Sequence, residues 1–246
     1  MKIIIGDAKT QKMPRASQSP LESATPAFAR KAKTLLDRLK SLSLEELEKQ
    51  FKVSAKIAAT LHERYRDETR APAFELFDGM VFRQFNIDVK QESLNYYNNH
   101  LRIVSPLYGL LRPGDAISFY RLSMDDFADL DLYEYHHQVN DLLKDEDCLI
   151  LLCSQEFARL IDHPEAYFVD FLEFDGNKVK RPSAHIKKAR GLMVAAMANE
   201  KIASIAKLET LRVDGFAFNK ELSKGKNLVF SRKFATKKTL SPANRP

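Results

Sequence analysis

Apolar residues along this chain follow two rhythms, one of short β-branched runs and one of helical stripes. Lys2 leads into Ile3-Ile4-Ile5, a run the length of a short buried strand that ends at Gly6. Residues 11–26 carry Pro14, Pro20 and Pro26 among Ser, Ala and Gln, which predicts an irregular loop. From Pro26 to Lys40 the spacing turns helical: Phe28, Leu35, Leu36 and Leu39 share a stripe, and Pro26 suits a first turn. Ser43 with Glu46 reads as a capping box opening a helix to Gln50. After Phe51-Lys52-Val53, Ser54 caps another helix, with Ile57, Ala58, Leu61 and Tyr65 on one face. Helices over 91–99, 130–143 and 187–200 alternate with strands over 101–105, 148–153, 166–174, 215–218 and 227–232. Asp175-Gly176 and Asp214-Gly215 are turn signals. The fold expected is α+β: a single compact domain over 1–234 with a mixed sheet, surrounding helices and a helix-hairpin-helix-like element over 43–66. Residues 235–246 are polar, basic and end in proline, and are expected to be a disordered tail.

Composition changes this picture little. With 246 residues, 44% of them hydrophobic, and no Gly/Ser-rich or Pro-rich linker dividing them, one large core is affordable. No run approaches the roughly eighteen apolar residues of a membrane helix, and Met1-Lys2 precedes only three apolar residues, unlike a signal peptide. A cytoplasmic protein without membrane contact is expected. Cys148 and Cys153 are five positions apart in an apolar run, so on a strand they face opposite ways and pair poorly as a disulfide. They read as core residues rather than redox thiols.

The net charge of +6 is informative only once it is located. No acid follows Glu221, and Lys224, Lys226, Arg232, Lys233, Lys237, Lys238 and Arg245 contribute +7, which leaves the rest of the chain at about −1. Bulk charge is therefore no argument for nucleic-acid binding, and a binding surface has to come from segregation. Segregation is present: residues 125–147 hold nine acids against Lys144, whereas residues 181–190 hold Arg181, Lys187, Lys188 and Arg190 with no acid.

Two blocks carry the chemistry. One is His100-Leu-Arg-Ile-Val-Ser-Pro-Leu-Tyr-Gly-Leu-Leu-Arg-Pro113, followed by Phe119-Tyr-Arg-Leu122; the other is Lys187-Lys-Ala-Arg-Gly-Leu-Met193. Each sets cations beside a glycine and apolar residues, a combination that brings backbone and positive charge to an anion together. In order and spacing they resemble the two signatures of the peroxide stress protein YaaA family, a resemblance that extends from Ile3 to Arg232. It implies a cytosolic bacterial protein that protects against hydrogen peroxide, with an unusual α+β fold and DNA as partner. Gly6-Asp7 stands where the family pattern has Ser-Pro, His136-His137 where it has Trp-Gly, and Leu151-Leu-Cys-Ser154 where it has Asn-Leu-Ala-Ser.

The hairpin over 43–66 resembles the module whose turn amides approach a DNA phosphate at a helix N-terminus. Lys52 and Ser54 flank Val53 where glycines are usual, so Lys52, Ser54 and Lys56 are expected to contact phosphate through side chains; the plain alternative is an ordinary helical hairpin. A basic cleft is expected where Lys9, then Arg102, Arg112 and Arg121, and then Lys187, Lys188 and Arg190 meet, with arginine forks suited to phosphate oxygens. Tyr108 and Tyr120 are candidates for stacking on an unpaired base. The duller readings are salt bridges from Arg102 and Arg121 to the acids of 125–147, and a core role for Tyr108. Distorted or bulged DNA is expected to be preferred over plain duplex, with peroxide protection arising from care of damaged DNA or from limiting free iron. The protein is expected to be a monomer without cofactor.

An enzyme is the main alternative: a lyase or glycosylase-like protein with Lys9 as nucleophile and Asp115 or Glu156 assisting, although Asp7 has the wrong sign to lower the pKa of a nearby lysine. A small phosphate or nucleotide binder is the third reading. No metal is expected. His136 and His137 are adjacent and diverge on a helix, and His100, His163 and His185 are isolated.

Overall fold

The computed structural model describes residues 1–13, 21, 23–85, 90–126 and 135–234. The opening apolar run forms an interior strand of its main sheet. β1 (Lys2–Gly6) has Ile3, Ile4 and Ile5 fully buried, as expected for a strand covered on both faces. β1 pairs in parallel with β3 (Leu101–Ser105) on one side and with β6 (Leu149–Leu151) on the other. β6 pairs in parallel with the start of β7 (Ala166–Asp175), which pairs in parallel with β11 (Asn227–Lys233). Antiparallel neighbours finish the sheet: β4 (Gly109–Leu111) on β3, β10 (Phe216–Phe218) on β11, β9 (Arg212–Val213) on β10 and β8 (Lys178–Lys180) on β7. The result is a mixed nine-stranded sheet in a single compact α+β fold, with β2 (Arg70–Pro72) and β5 (Ala116–Ser118) forming a separate ribbon.

The helices largely follow the predicted stripes. α1 (Ala29–Ser41) buries Ala32, Leu36 and Leu39 and packs against α3 (Ala55–Arg66). α2 (Leu44–Phe51) begins with the capping box: the Ser43 hydroxyl accepts from the Glu46 amide at 3.2 Å, and the Glu46 carboxylate accepts from the Ser43 amide at 2.7 Å. α3 buries Ala58, Leu61 and Tyr65, but Ile57, assigned to the same face, is 46% exposed because it lies in the first turn, beyond the surface that α3 covers. α5 (Gln91–His100) runs directly into β3. Only Tyr135–Asp141 (α6) of the helix expected over 130–143 is helical, the residues at 130–134 lying outside the described set. α8 begins at Ser183 rather than near Lys187 and runs to Asn199. Inside it, a Cβ on Gly191 would meet the Val81 carbonyl oxygen at 2.2 Å, so the glycine allows the helix to touch the backbone before the 3-10 turn Phe82–Gln84.

β4, β5 and β2 were not predicted. Each has three residues, too few for an alternating pattern, and the pairing partner decides their conformation. The tail 235–246 lies outside the described residues. No helix among the described residues is long and apolar enough to cross a membrane.

Candidate functional site

In open sheets with parallel strands, ligand sites gather beyond the carboxyl ends of strands where the order reverses, because successive connections leave in opposite directions there. β1, with β3 on one side and β6 on the other, provides such a place. A cavity of about 420 Å³ lies there, within the range ligand sites occupy, about 300–1,000 Å³. Its wall is formed by Asp7–Thr10 after β1, Gly79–Phe82, Leu122 and Ser123, Ser154, Glu156 and Phe157 after β6, and Lys187 of α8.

Asp7 is held most firmly. Its amide donates to the Val104 carbonyl at 2.9 Å, extending the β1–β3 ladder one residue past Gly6. The Tyr120 hydroxyl donates to its carboxylate at 2.6 Å and lies 2.8 Å from the Ser105 hydroxyl. The Ser105 oxygen already accepts from the Leu107 and Tyr108 amides, so its own proton points to Tyr120 and the chain of donors runs Ser105 to Tyr120 to Asp7. Asp7 is half-buried at the cavity wall. Burial pushes its pKa up to about 7, the Tyr120 hydrogen bond opposing, the charge of Glu156 adding to the rise and Lys9 opposing it. Gly6 is part of the construction: a Cβ there would lie 2.4 Å from two ring carbons of Phe157, so its absence lets that ring cover the strand end. Gly6 and Asp7 thus shape the end of β1 beside the cavity, Gly6 by admitting the Phe157 ring and Asp7 by lining the wall.

The residues expected to form one cleft are distributed over several places. Lys9 and Lys187, both exposed, line this cavity. Arg102 lies opposite Ile4 in the β1–β3 register, three residues and so roughly 10 Å short of Asp7 along the strand. Its guanidinium donates to the carbonyls of Asn98 and Leu101, and with the exposed Arg112 and the buried Asp115 it forms a separate charged locus. Burial raises the Asp115 pKa, the Arg112 amide and both arginines opposing. Arg121 is half-buried, and its carbonyl accepts from the Tyr65 hydroxyl at 3.0 Å. Lys188 is paired with Asp214 at 3.2 Å. Arg190 is largely covered; burial lowers its pKa, with Cys153 and Asp170 opposing, and its Nε has no hydrogen-bond partner.

Tyr108 and Tyr120 lie in the core, 4% and 1% exposed, with ring centroids 5.7 Å apart. In this conformation neither has a ring face open to a base. The Tyr108 hydroxyl accepts from the Ser118 amide at 3.0 Å. Of the proposed assisting acids, Glu156 lines the cavity and Asp115 does not. Cys148 and Cys153 are both free, and burial raises both thiols, Cys153 to about 12, so neither is a ready thiolate at neutral pH. Among the described residues no group of three or more His, Cys, Asp or Glu side chains could hold a metal ion.

Lys52, Ser54 and Lys56 lie together and exposed at the turn between α2 and α3. Lys52 is in the left-handed region at φ 49°, closing α2 with its amide on the Glu48 carbonyl. Ser54 occupies the N-cap of α3 without a side-chain capping hydrogen bond, so the first amides of α3 take nothing from it. At the other end of α3, Arg64 donates to the carbonyls of Gln11 and Lys12 and stacks on Phe119, its guanidinium carbon 3.5 Å from the ring centroid. The segment that leaves β1 through the cavity wall is thereby tied to the hairpin.

The sequence matches the family described as peroxide stress protein YaaA over residues 1–222. The chain belongs to that family. Similar curated proteins include a UPF0246 protein of Finegoldia magna, 33% identical and covering 94% of this chain and 97% of its own length. A UPF0246 protein of Lactobacillus acidophilus is 34% identical over 95% and 98%, and one of Fusobacterium nucleatum 28% over 95% and 99%. In this member of the YaaA family, sequence reasoning left Asp7 and Ser105 out of the candidate site residues, although both stand in segments it singled out. The available signal was positional: the first polar residue after a buried parallel strand lies where such folds bind ligands.

Proposed function

We propose that this chain is a DNA-binding protein of the peroxide stress response, acting as a cytoplasmic monomer to limit oxidative damage to DNA. The observation that carries the reading is the α2–α3 turn. It joins two cations, Lys52 and Lys56, to a helix N-terminus whose cap side chain is unengaged, a combination suited to a phosphate oxygen. Family membership supplies the stress context. Residues 1–234 act as one unit in this reading, Arg102, Arg112 and Arg121 add long-range attraction, and the tail contributes only charge.

The test is fluorescence anisotropy on plain and bulged duplex across a salt series, comparing the full chain with Lys52→Gly and Lys56→Ala. Each variant is expected to weaken binding and to reduce the salt slope by about 1, the loss of one phosphate contact. Bulged duplex is expected to bind more tightly than plain duplex; equal affinities overturn that preference, and variants that bind like the parent overturn the hairpin as the contact.

One observation favours a second reading, a DNA-lesion lyase. Lys9, the candidate nucleophile, shares its cavity with Asp7 and Glu156. Borohydride trapping on DNA containing an abasic site discriminates, since an adduct that disappears in Lys9→Ala belongs to the enzyme and a binder forms none.

A further inference from the structure

The cavity has more structure than a DNA surface requires. One of its carboxyl groups is fixed by a buried tyrosine and serine, two cations stand on its rim, and much of the remaining wall is apolar, with Met80, Val81 and Phe157 among the lining residues. Cations beside an apolar wall fit an anion attached to a flat, weakly polar body. The carboxyl adds a hydrogen-bonding edge.

We propose that this cavity is a nucleoside-phosphate site in which Lys9 and Lys187 take the phosphate, Met80, Val81 and Phe157 face the base, and the Asp7 carboxyl, held from behind by Tyr120, hydrogen-bonds the ligand. The choice of a nucleoside phosphate rests on the DNA-binding reading above. A free nucleotide and a nucleotide presented by a strand share this chemistry.

Asp7 makes occupancy depend on pH. The charged and titratable groups around it are Lys9 on its own segment, Tyr120 behind it, Glu156 after β6, and Lys187 on the cavity wall from α8. With Asp7 neutral the two lysines exceed Glu156 by one charge; once Asp7 ionises the lining is balanced and a carboxylate confronts the phosphate. Around its midpoint near pH 7 the carboxyl therefore changes from hydrogen-bond donor to a repelling anion. Tyr120 and Ser105 are positioning residues: their donor chain engages one carboxylate oxygen and leaves the other for the ligand.

The experiment is calorimetric titration of the full chain and of Asp7→Asn with deoxyadenosine monophosphate at pH 6 and pH 8. Inorganic phosphate, deoxyadenosine and a short single-stranded oligonucleotide are titrated separately. The phosphate's own ionisation is common to both proteins, so the ratio of their affinities isolates Asp7. For a group titrating near pH 7, that ratio is expected to change about tenfold between the two pH values.

Lys187→Ala, at an exposed position that should leave the fold intact, is expected to weaken the monophosphate tenfold or more while leaving deoxyadenosine unchanged. If the oligonucleotide reproduces the Asp7-dependent ratio, the ligand is a strand-borne nucleotide; if only the monophosphate does, it is a free one. The proposal is overturned if the monophosphate gives no binding heat at millimolar concentration, if the ratio does not change with pH, or if inorganic phosphate binds as tightly as the nucleotide. Duplex retention by Lys52→Gly and Lys56→Ala, measured alongside, tests the DNA reading independently, since those residues lie outside the cavity.

Discussion

Asp7 shows how far a single residue can be read from its neighbours in sequence. Next to Lys9 it looked like a local counter-ion, and a lysine two residues away does oppose the rise in its pKa. Burial dominates, however, and the side chains gathered at this strand end, Tyr120 on the Asp7 carboxylate and Phe157 over Gly6, are far from it in sequence. The consequence for stability has a definite sign. A carboxyl whose pKa rises from 3.8 unfolded to about 7 folded binds more protons in the native state between those values. Stability therefore falls as pH rises from about 4 to 7 and is flat in this contribution above that. The full shift corresponds to about 4 kcal/mol, reduced by water at the cavity edge. Asp7→Asn keeps an acceptor for Tyr120 without the ionisation. Urea unfolding is expected to show Asp7→Asn gaining on the parent from pH 5 to pH 8; parallel curves would show that the folded carboxyl titrates normally.

At the scale of elements, the hairpin was the most legible part of the chain because its determinants are local. A capping box needs only Ser43 and Glu46 at the right spacing, and both reciprocal hydrogen bonds form. The same geometry separates charge from stability. Ser43→Ala is expected to cost about 1 kcal/mol with no change of charge. Lys52→Gly relieves a left-handed lysine, a conformation that costs roughly 1–2 kcal/mol outside glycine, and is expected to raise stability while removing a cation. Thermal unfolding and duplex binding on this pair should move in opposite directions, with Lys52→Gly more stable and weaker in binding. If affinity follows stability instead, the lysine matters only as part of the fold. The strands Arg70–Pro72, Gly109–Leu111 and Ala116–Ser118 were illegible for the opposite reason. Gly109–Leu111 and Ala116–Ser118 carry no pattern of their own and become strands through β3 and β2.

Over the whole molecule, charge is arranged by tertiary structure more than by density along the chain. The block 181–190 looks like one basic patch in sequence, yet Arg181 pairs with Asp170, Lys188 with Asp214 and Arg190 is largely covered, leaving Lys187 on the cavity. Arg232 joins Glu173 to Asp214 in the same network, which fastens α8 to β7 and β11. The tail adds Lys237, Lys238 and Arg245 to the net charge, so a chain ending at Phe234 carries +3 rather than +6. That chain keeps the Phe234 amide on the Phe174 carbonyl, the last such hydrogen bond among the described residues. It is expected to bind duplex with a salt slope shallower by at most about 3. Loss of all binding on truncation would assign the affinity to the tail.

The sequence by itself determined the α+β class, most strands longer than three residues, the capped hairpin and family membership. Each rests on local periodicity, a short-range cap or a linear signature. Tertiary structure alone decided which cations share a cavity, that Tyr108 and Tyr120 are core residues, and that Asp7 lines the cavity at the end of β1 whereas Arg102, Arg112 and Arg121 do not. The physical reason is that burial and charge pairing are set by residues on different elements, which only the fold brings together. Asp7 and Tyr120 approach to 2.6 Å only because the strand opening the chain lies inside the sheet, between β3 and β6.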